Sequence, residues 1–146
     1  MADITRKSAL GVDADSMLRC VQLGQGKIVA GEALSKFDAL YLKSDGKFWK
    51  AVSTVKVTRT IETGTTDFTE DISSFAGLAY TEYAVGSPVT CLGVGAIVDY
   101  ETDLTPGSGL FVSDTAGNLA DARVATGDTP VAMALSASKI IVTALR

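Results

Sequence analysis

The chain has 146 residues, of which 47% are hydrophobic and 21% charged, a composition typical of one folded domain and not of a disordered segment. Its formal net charge is -4, and because phosphate neutralisation needs clustered Lys and Arg, this acidic balance argues against direct nucleic-acid binding. The sequence has no histidine, which excludes Ser-His-Asp and Cys-His catalytic sites. Enzymes without histidine exist, so an enzyme is the third alternative, and we expect a protein with no enzymatic activity and no cofactor.

The segment 1–18 carries mixed charge and shows no sustained periodicity. It is interpreted either as a frayed terminus or as an arm that becomes ordered against a neighbouring subunit. A solvated tail has no need of apolar anchors, yet four occur here: Ile4, Leu10, Val12 and Leu18. We therefore predict an extended N-terminal arm at 1–18, followed by a single β domain at 19–146.

Targeting signals and cysteines bear on where the protein works. The N-terminal segment lacks the apolar core of a signal peptide, and the run 91–98 is far shorter than the roughly 18 residues of a membrane span. We therefore expect a protein made in the cytoplasm and not inserted in a membrane. Cys20 and Cys91 lie in apolar stretches, where buried free thiols are favoured over a disulfide between them.

From Arg19 onward the pattern predicts strands. Gly24 and Gly26 divide the apolar runs 20–23 and 27–30, which favours a bend or a bulge. Two β-rich runs, 38–43 and 47–52, then flank Ser44-Asp45-Gly46. Asp-Gly between such runs predicts a β-hairpin.

Residues 52–74 are expected to form an inserted hairpin or lobe. Within them, 55–61 alternates apolar and polar residues as a half-exposed strand does, 62–67 is typical of a turn, and 68–72 leads out of it. The corresponding part of the second half of the chain is compressed into 125–129, so the insertion is not essential to a shared core.

The rest of the chain supplies further short strands, at 88–91, 111–112, 130–135 and 139–145, and no convincing helix of ten residues. Many short strands separated by turns predict an all-β sandwich or barrel. A closed barrel would also remove the open strand edges that promote aggregation.

The strongest long-range signal is an internal repeat. The segment 23–29 (LGQGKIV) returns as 92–98 (LGVGAIV), and 76–80 has a weaker counterpart in 131–135. We therefore predict a small pseudo-symmetric β-barrel or sandwich built from two sequence repeats, 20–91 and 92–146. The twofold repeat favours a closed or nearly closed barrel.

Few residues point to bound ligands. The Gly-x-Gly pairs lack the third glycine and following helix of a nucleotide-binding turn, so they are interpreted as structural. In an extended 99–103 segment, Asp99, Glu101 and Asp103 share one face, which is compatible with a calcium site, although a solvated acidic edge is favoured and no metal is predicted.

Four lysines, Lys36, Lys43, Lys47 and Lys50, make the first hairpin locally basic. They are candidates for contact with an acidic protein surface, and protection of an edge strand is the alternative. Aromatic residues allow a different class of function, a carbohydrate-binding or other ligand-binding β-barrel that uses Trp49, Tyr41, Tyr80 and Tyr83 for stacking.

The run 31–51 (GEALSKFDALYLKSDGKFWKA), followed by 75–79 (FAGLA) and by the closing strands at 130–142, resembles the small capsid decoration, or cement, proteins of tailed bacteriophages. Phe37 stands where the family pattern leads us to expect Gly. The resemblance implies a structural virion protein on the capsid exterior that bridges subunits of the major capsid protein and stabilises the expanded head. It also implies a homotrimer. The alternative to a decoration protein within the structural class is another virion part, such as a head fibre base.

Overall fold

The computed structural model describes residues 4, 22–23, 27–52, 56–60, 67–71, 75–100, 103–123 and 129–143, with the backbone alone at 22–23, 56–60 and 67–71. Throughout this part of the chain the regular structure is β, which confirms the all-β prediction. The strands are β1 (Gln22–Leu23), β2 (Ala39–Leu42), β3 (Phe48–Lys50), β4 (Lys56–Thr60), β5 (Asp67–Asp71), β6 (Gly77–Ala79), β7 (Cys91–Leu92), β8 (Ile97–Asp99), β9 (Gly109–Val112), β10 (Leu119–Ala120), β11 (Ala132–Ala134) and β12 (Lys139–Val142).

Ten of these strands form two antiparallel sheets. The first sheet has the order β1-β7-β6-β2-β3, and the second has the order β10-β9-β11-β12-β8. The inserted strands β4 and β5 pair with each other from Lys56↔Asp71 to Thr60↔Asp67 and form a separate two-stranded sheet. When the second sheet is read from β8, its order β8-β12-β11-β9-β10 repeats the order of the first sheet. The strands β8, β9, β10, β11 and β12 take the places of β1, β2, β3, β6 and β7, respectively.

The prediction of a closed barrel is wrong. Within the described residues no ladder joins the end strands of either sheet. Val29 and Ala30 make single bridges, to Pro88 and to Phe48, between the two sides of the first sheet. The ladder ends there because the next contact is not between backbones: the Lys50 N–H donates to the Glu32 carboxylate at 3.2 Å.

Both sheets contribute to one large hydrophobic core. The first sheet turns Ala39, Tyr41, Leu78 and Leu92 into it, and the second sheet contributes Leu110, Val112, Leu119, Ile140 and Val142. All of these side chains are at most 5% exposed. The opposite face of the first sheet has a smaller core of its own, formed by Ala30, Leu34, Leu40, Phe48, Ala79, Val89 and Cys91. Buried apolar surface stabilises a fold by about 25 cal/mol per Å², so the shared core links the two halves energetically.

Identical turns lead into β2 and β9. The Phe37 N–H donates to Ala79 O at 2.9 Å, and the Gly107 N–H donates to Ala134 O at 2.8 Å. One residue later, Asp38 N–H bonds Ser35 O and Ser108 N–H bonds Thr105 O, both at 3.1 Å. Both turns place a residue at positive φ, Phe37 at 63° and Gly107 at 86°.

No helix in the described part of the chain has the length and hydropathy needed to cross a membrane.

Candidate functional site

The first hairpin, β2 and β3 with the turn 43–47, is confirmed where the Asp-Gly sequence predicted it. Its turn is closed by the Gly46 N–H donating to Lys43 O at 2.9 Å and the Lys43 N–H donating to Lys47 O at 3.0 Å. Gly46 has φ of 80°, the left-handed conformation that favours glycine. Residues 44–47 are exposed, so the tip of the hairpin faces solvent.

Trp49 is held on this hairpin by three neighbours. Its Nε1–H donates to the Asp45 carboxylate at 3.1 Å, and Lys43 Nζ lies 4.1 Å from the ring centroid. The ring edge rests on Gly31, where a Cβ would overlap the indole. Of the other aromatic residues proposed for stacking, Tyr41 is 5% exposed and packs in the core. The four rings are therefore not gathered on one exposed face.

The predicted basic residues are mostly engaged within their own chain. Lys36 Nζ lies 5.2 Å from the centroid of the Phe37 ring, and Lys50 Nζ lies 3.9 Å from the buried Asp38 carboxylate. Lys43 covers Trp49, and Lys47 is exposed at the hairpin tip. Of the four lysines, Lys47 is the most open to a partner, and their contact with an acidic protein surface stays a prediction.

Of the four predicted arm anchors, Ile4 lies within the described residues. It is half-buried and packs against the large core, and its N–H is 3.4 Å from Leu119 O on the edge strand β10. Leu10, Val12 and Leu18 lie outside the described residues, as does Cys20.

The second sheet presents an apolar outer face that the sequence analysis did not single out. Ile97, Ile141 and Met133 stand side by side on β8, β12 and β11, with Phe111 nearby on β9. Met133 is 37% exposed and the other three are half-buried. The available signal was the uninterrupted apolar run 140–142, which lacks the polar alternation of a half-solvated strand. An ion pair of 2.9 Å between Lys139 and Asp99 borders the face.

The second hairpin, β9 and β10 with the turn 113–118, docks on the first half of the chain. Gly117 accepts a hydrogen bond from the Ala39 N–H at 2.8 Å and donates one to Ala51 O at 3.0 Å. The approach is so close that a Cβ on Gly117 would lie 2.8 Å from Asp38 Oδ1. Asp38 is itself fixed, because its carboxylate accepts the Ser35 N–H at 2.7 Å.

A cavity of about 180 Å³ lies beside the turn that leads into β9. It is lined by the apolar Ile4, Leu104 and Leu110, the hydroxyls of Thr105 and Ser108, and the carboxylates of Asp103 and Asp121. Asp103 and Asp121 are exposed, so the cavity has an acidic, solvent-facing side.

The remaining candidate groups do not form a reactive or metal-binding centre in the part of the chain that the structure describes. It contains no cluster of three His, Cys, Asp or Glu able to hold a metal ion, and Asp99 is paired with Lys139. Cys91 is a buried free thiol, as predicted, and desolvation by burial raises its pKa to about 12. It therefore stays protonated and unreactive near neutral pH.

Comparison with known proteins gives no match: no family model, no curated protein and no solved structure is significantly similar to this chain.

Proposed function

We propose that this protein is a structural virion component that binds the outer surface of a tailed-phage capsid. Acting as a homotrimer, it bridges subunits of the major capsid protein and stabilises the expanded head. The proposal rests on the resemblance of 31–51 and the closing strands to capsid decoration proteins. The chain is interpreted as two copies of one β unit, with the arm 1–18 packing on its own core at Ile4 and reaching a neighbouring protomer or the capsid through its other anchors.

The observation that supports the proposal best is the apolar outer face of the second sheet. Contiguous apolar side chains at the surface of a soluble protein mark sites of protein–protein contact. Here Ile97, Met133 and Ile141 stand side by side across three strands. A rigid sheet presents such a face without ordering flexible chain on binding, which keeps the entropic cost low. We assign this face to the capsid.

Weak contacts suffice for this role. Each trimer repeats the same surface three times around its axis, so binding at the first site raises the effective concentration for the others. Many trimers on one capsid then tie neighbouring subunits together without high affinity at any single contact.

The proposal predicts that Met133→Glu weakens binding to expanded heads at least about tenfold, because a charge is placed at the centre of the apolar face. Met133 is partly exposed, so the variant is expected to fold. The measurement is co-sedimentation of the purified protein with expanded heads of the cognate major capsid protein, across a range of concentrations.

Val85→Glu is the matched control. Val85 is 67% exposed, lies in a turn of the first half and is not part of the outer face. Binding by the wild type and by Val85→Glu, with loss in Met133→Glu, supports the assignment. Equal binding by both variants would move the contact elsewhere, and no binding by the wild type would remove the proposed function.

A further inference from the structure

The contact between the second hairpin and the first half has a counterpart elsewhere on the molecule, and among the described residues no hairpin fills it. Gly117 at the tip of the second hairpin is buried, with hydrogen bonds to Ala39 and Ala51. The matching tip residue of the first hairpin, Gly46, has nearly the same φ, 80° against 83°. Gly46 is exposed, and a Cβ built on it meets nothing within 4 Å.

The flanking residues differ in the same direction. Val112 on the second hairpin is fully buried, whereas Leu42, which takes its place on the first hairpin, is 51% exposed. An exposed leucine beside an open glycine tip is what the second hairpin would present if the first half were removed from it. The first hairpin therefore carries a docking surface of the same form.

The site that receives a hairpin also has a counterpart. Asp38, Ala39 and Ala51 receive Gly117 in the first half. The matching positions in the second half are Ser108, Gly109 and Ala122, all of them partly exposed. Of these three residues, Ser108 lines the cavity of about 180 Å³, whose wall also includes Ile4.

We infer that copies of this chain join head to tail, the first hairpin of one copy docking at Ser108, Gly109 and Ala122 of the next. Gly46 would there make the two backbone hydrogen bonds that Gly117 makes within the chain. The occupant is a second copy because this chain carries both the hairpin and the receiving site, in the same relation that already exists between its halves.

Charge favours this pairing of surfaces. The receiving site is bordered by the exposed carboxylates of Asp103 and Asp121, and the first hairpin carries the exposed Lys47. The position that matches Asp121 in the first half is Lys50, whose Nζ lies 3.9 Å from Asp38. Lys47 of one copy and the acidic border of the next copy's receiving site are thus of opposite sign.

A head-to-tail contact closes into a ring or grows into a filament, depending on the rotation between copies. Three copies closing a ring would give six hairpin contacts, three within chains and three between them. This assignment deepens the proposed homotrimer by naming its contact, and the assembly of the free protein tests it without any capsid.

The test uses Gly46→Asn. Asn tolerates the left-handed conformation, and space around Gly46 is open, so the isolated chain should fold. In the inferred contact its side chain would meet Ser108, which takes the place that Asp38 has beside Gly117. Gly86→Asn is the matched control, because Gly86 has φ of 82° and is equally open.

Sedimentation velocity and light scattering give the mass across about a thousandfold range of concentration. We expect a trimer for the wild type and for Gly86→Asn, and a rise of at least about tenfold in the dissociation constant for Gly46→Asn. A wild type that stays monomeric throughout, or equal masses for the two variants, would overturn the inference.

Charge-reversal variants test the inferred contact independently. Lys47→Glu and Asp121→Lys should each weaken association, and the chain carrying both should recover part of it, because the pair is again of opposite sign. The double variant associating no better than either single variant would count against the contact. A trimer that depends on Gly46 but does not bind heads would refute only the proposed function. Head binding by a trimer insensitive to Gly46→Asn would refute only the inferred contact.

Discussion

Phe37 occupies a backbone position that suits glycine. Its φ of 63° places an aromatic residue in the left-handed region, at a cost of roughly 1–2 kcal/mol for a residue with a Cβ. The side chain is fully buried in the large core, and truncation of such a phenylalanine costs about 3–5 kcal/mol. Burial therefore outweighs strain, and this explains why a large residue is found at a position that is Gly107 in the matching turn.

We accordingly expect Phe37→Gly to destabilise the protein by about 2–4 kcal/mol, although it restores the residue that the backbone conformation favours. The free energy of unfolding from urea titration measures the change. Gly107→Ala is the matched control, because it tests the same backbone position 70 residues later, where a Cβ meets nothing within 4 Å. It should cost only the conformational strain, about 1–2 kcal/mol. A more stable Phe37→Gly would mean that strain dominates.

The sequence indicated an unusual residue at position 37 but could not indicate why it is tolerated. A left-handed turn is a local feature, and the matching turn into β9 has Gly107 at this position. The compensation is not local, since it comes from burial of the ring against residues distant in sequence. The sequence therefore marked position 37 as unusual, and the structure supplied both the left-handed turn and the packing that stabilises it.

The first hairpin shows how far local signals carry at the level of an element. Asp45 and Gly46 specify its turn, and the predicted strands exceed the observed ones by only one or two residues at each end. The packing of the Trp49 ring on Gly31 could not be predicted, because Gly31 belongs to another segment of the chain. A glycine required by a close approach looks, in sequence, like a glycine required by a turn.

Gly31→Ala is expected to lower the free energy of unfolding by about 1–3 kcal/mol, because the added methyl group overlaps the indole and the ring must move. Trp49 is the only tryptophan, so its fluorescence emission reports the movement of the ring directly. We expect the emission maximum of the folded variant to differ from that of the wild type already in the absence of urea. Ala33→Ser, two residues away at an exposed position, should change the stability by less than about 0.5 kcal/mol. An unchanged spectrum in Gly31→Ala would show that the ring does not rest on this glycine.

At the level of the whole molecule, matching faces of the two sheets are not buried alike. The face of the first sheet that includes Tyr41 and Leu78 is covered in the shared core. The matching face of the second sheet, with Phe111 and Met133, is the exposed outer face. Periodicity predicted the strands, but it could not decide which apolar face would be covered, because that depends on how two similar halves pack.

The closed barrel was a reasonable expectation, because periodicity predicts strands but not how the sheets they form are packed. Repeated short strands are compatible with closure into a barrel and with two open sheets that share a core. What decides between them is where a ladder stops, and here the backbone leaves the ladder after Ala30 and Gly31. At that point the Lys50 N–H donates to the Glu32 carboxylate and not to a backbone carbonyl, and a contact of this kind leaves no pattern in the sequence.

The contact between the halves at Gly117 can be measured against an equivalent glycine. Gly117 and Gly86 have φ of 83° and 82°, so replacement by Ala costs the same backbone strain at both, about 1–2 kcal/mol. A Cβ meets Asp38 Oδ1 at 2.8 Å in the first case and nothing within 4 Å in the second. We therefore expect Gly117→Ala to lose about 1–3 kcal/mol more than Gly86→Ala in urea unfolding.

The two variants also separate a local effect from a loosening of the whole molecule. Trp49 lies in the first half, whereas the substitution is in the second. If the shared core couples the two halves, tryptophan emission and circular dichroism should show the same unfolding transition in urea. An early loss of Trp49 signal in Gly117→Ala would mean that the docked hairpin holds the first half in place. Equal losses in the two variants would show that the hairpin contact contributes nothing beyond its backbone geometry, and would remove the template on which contact between copies is argued.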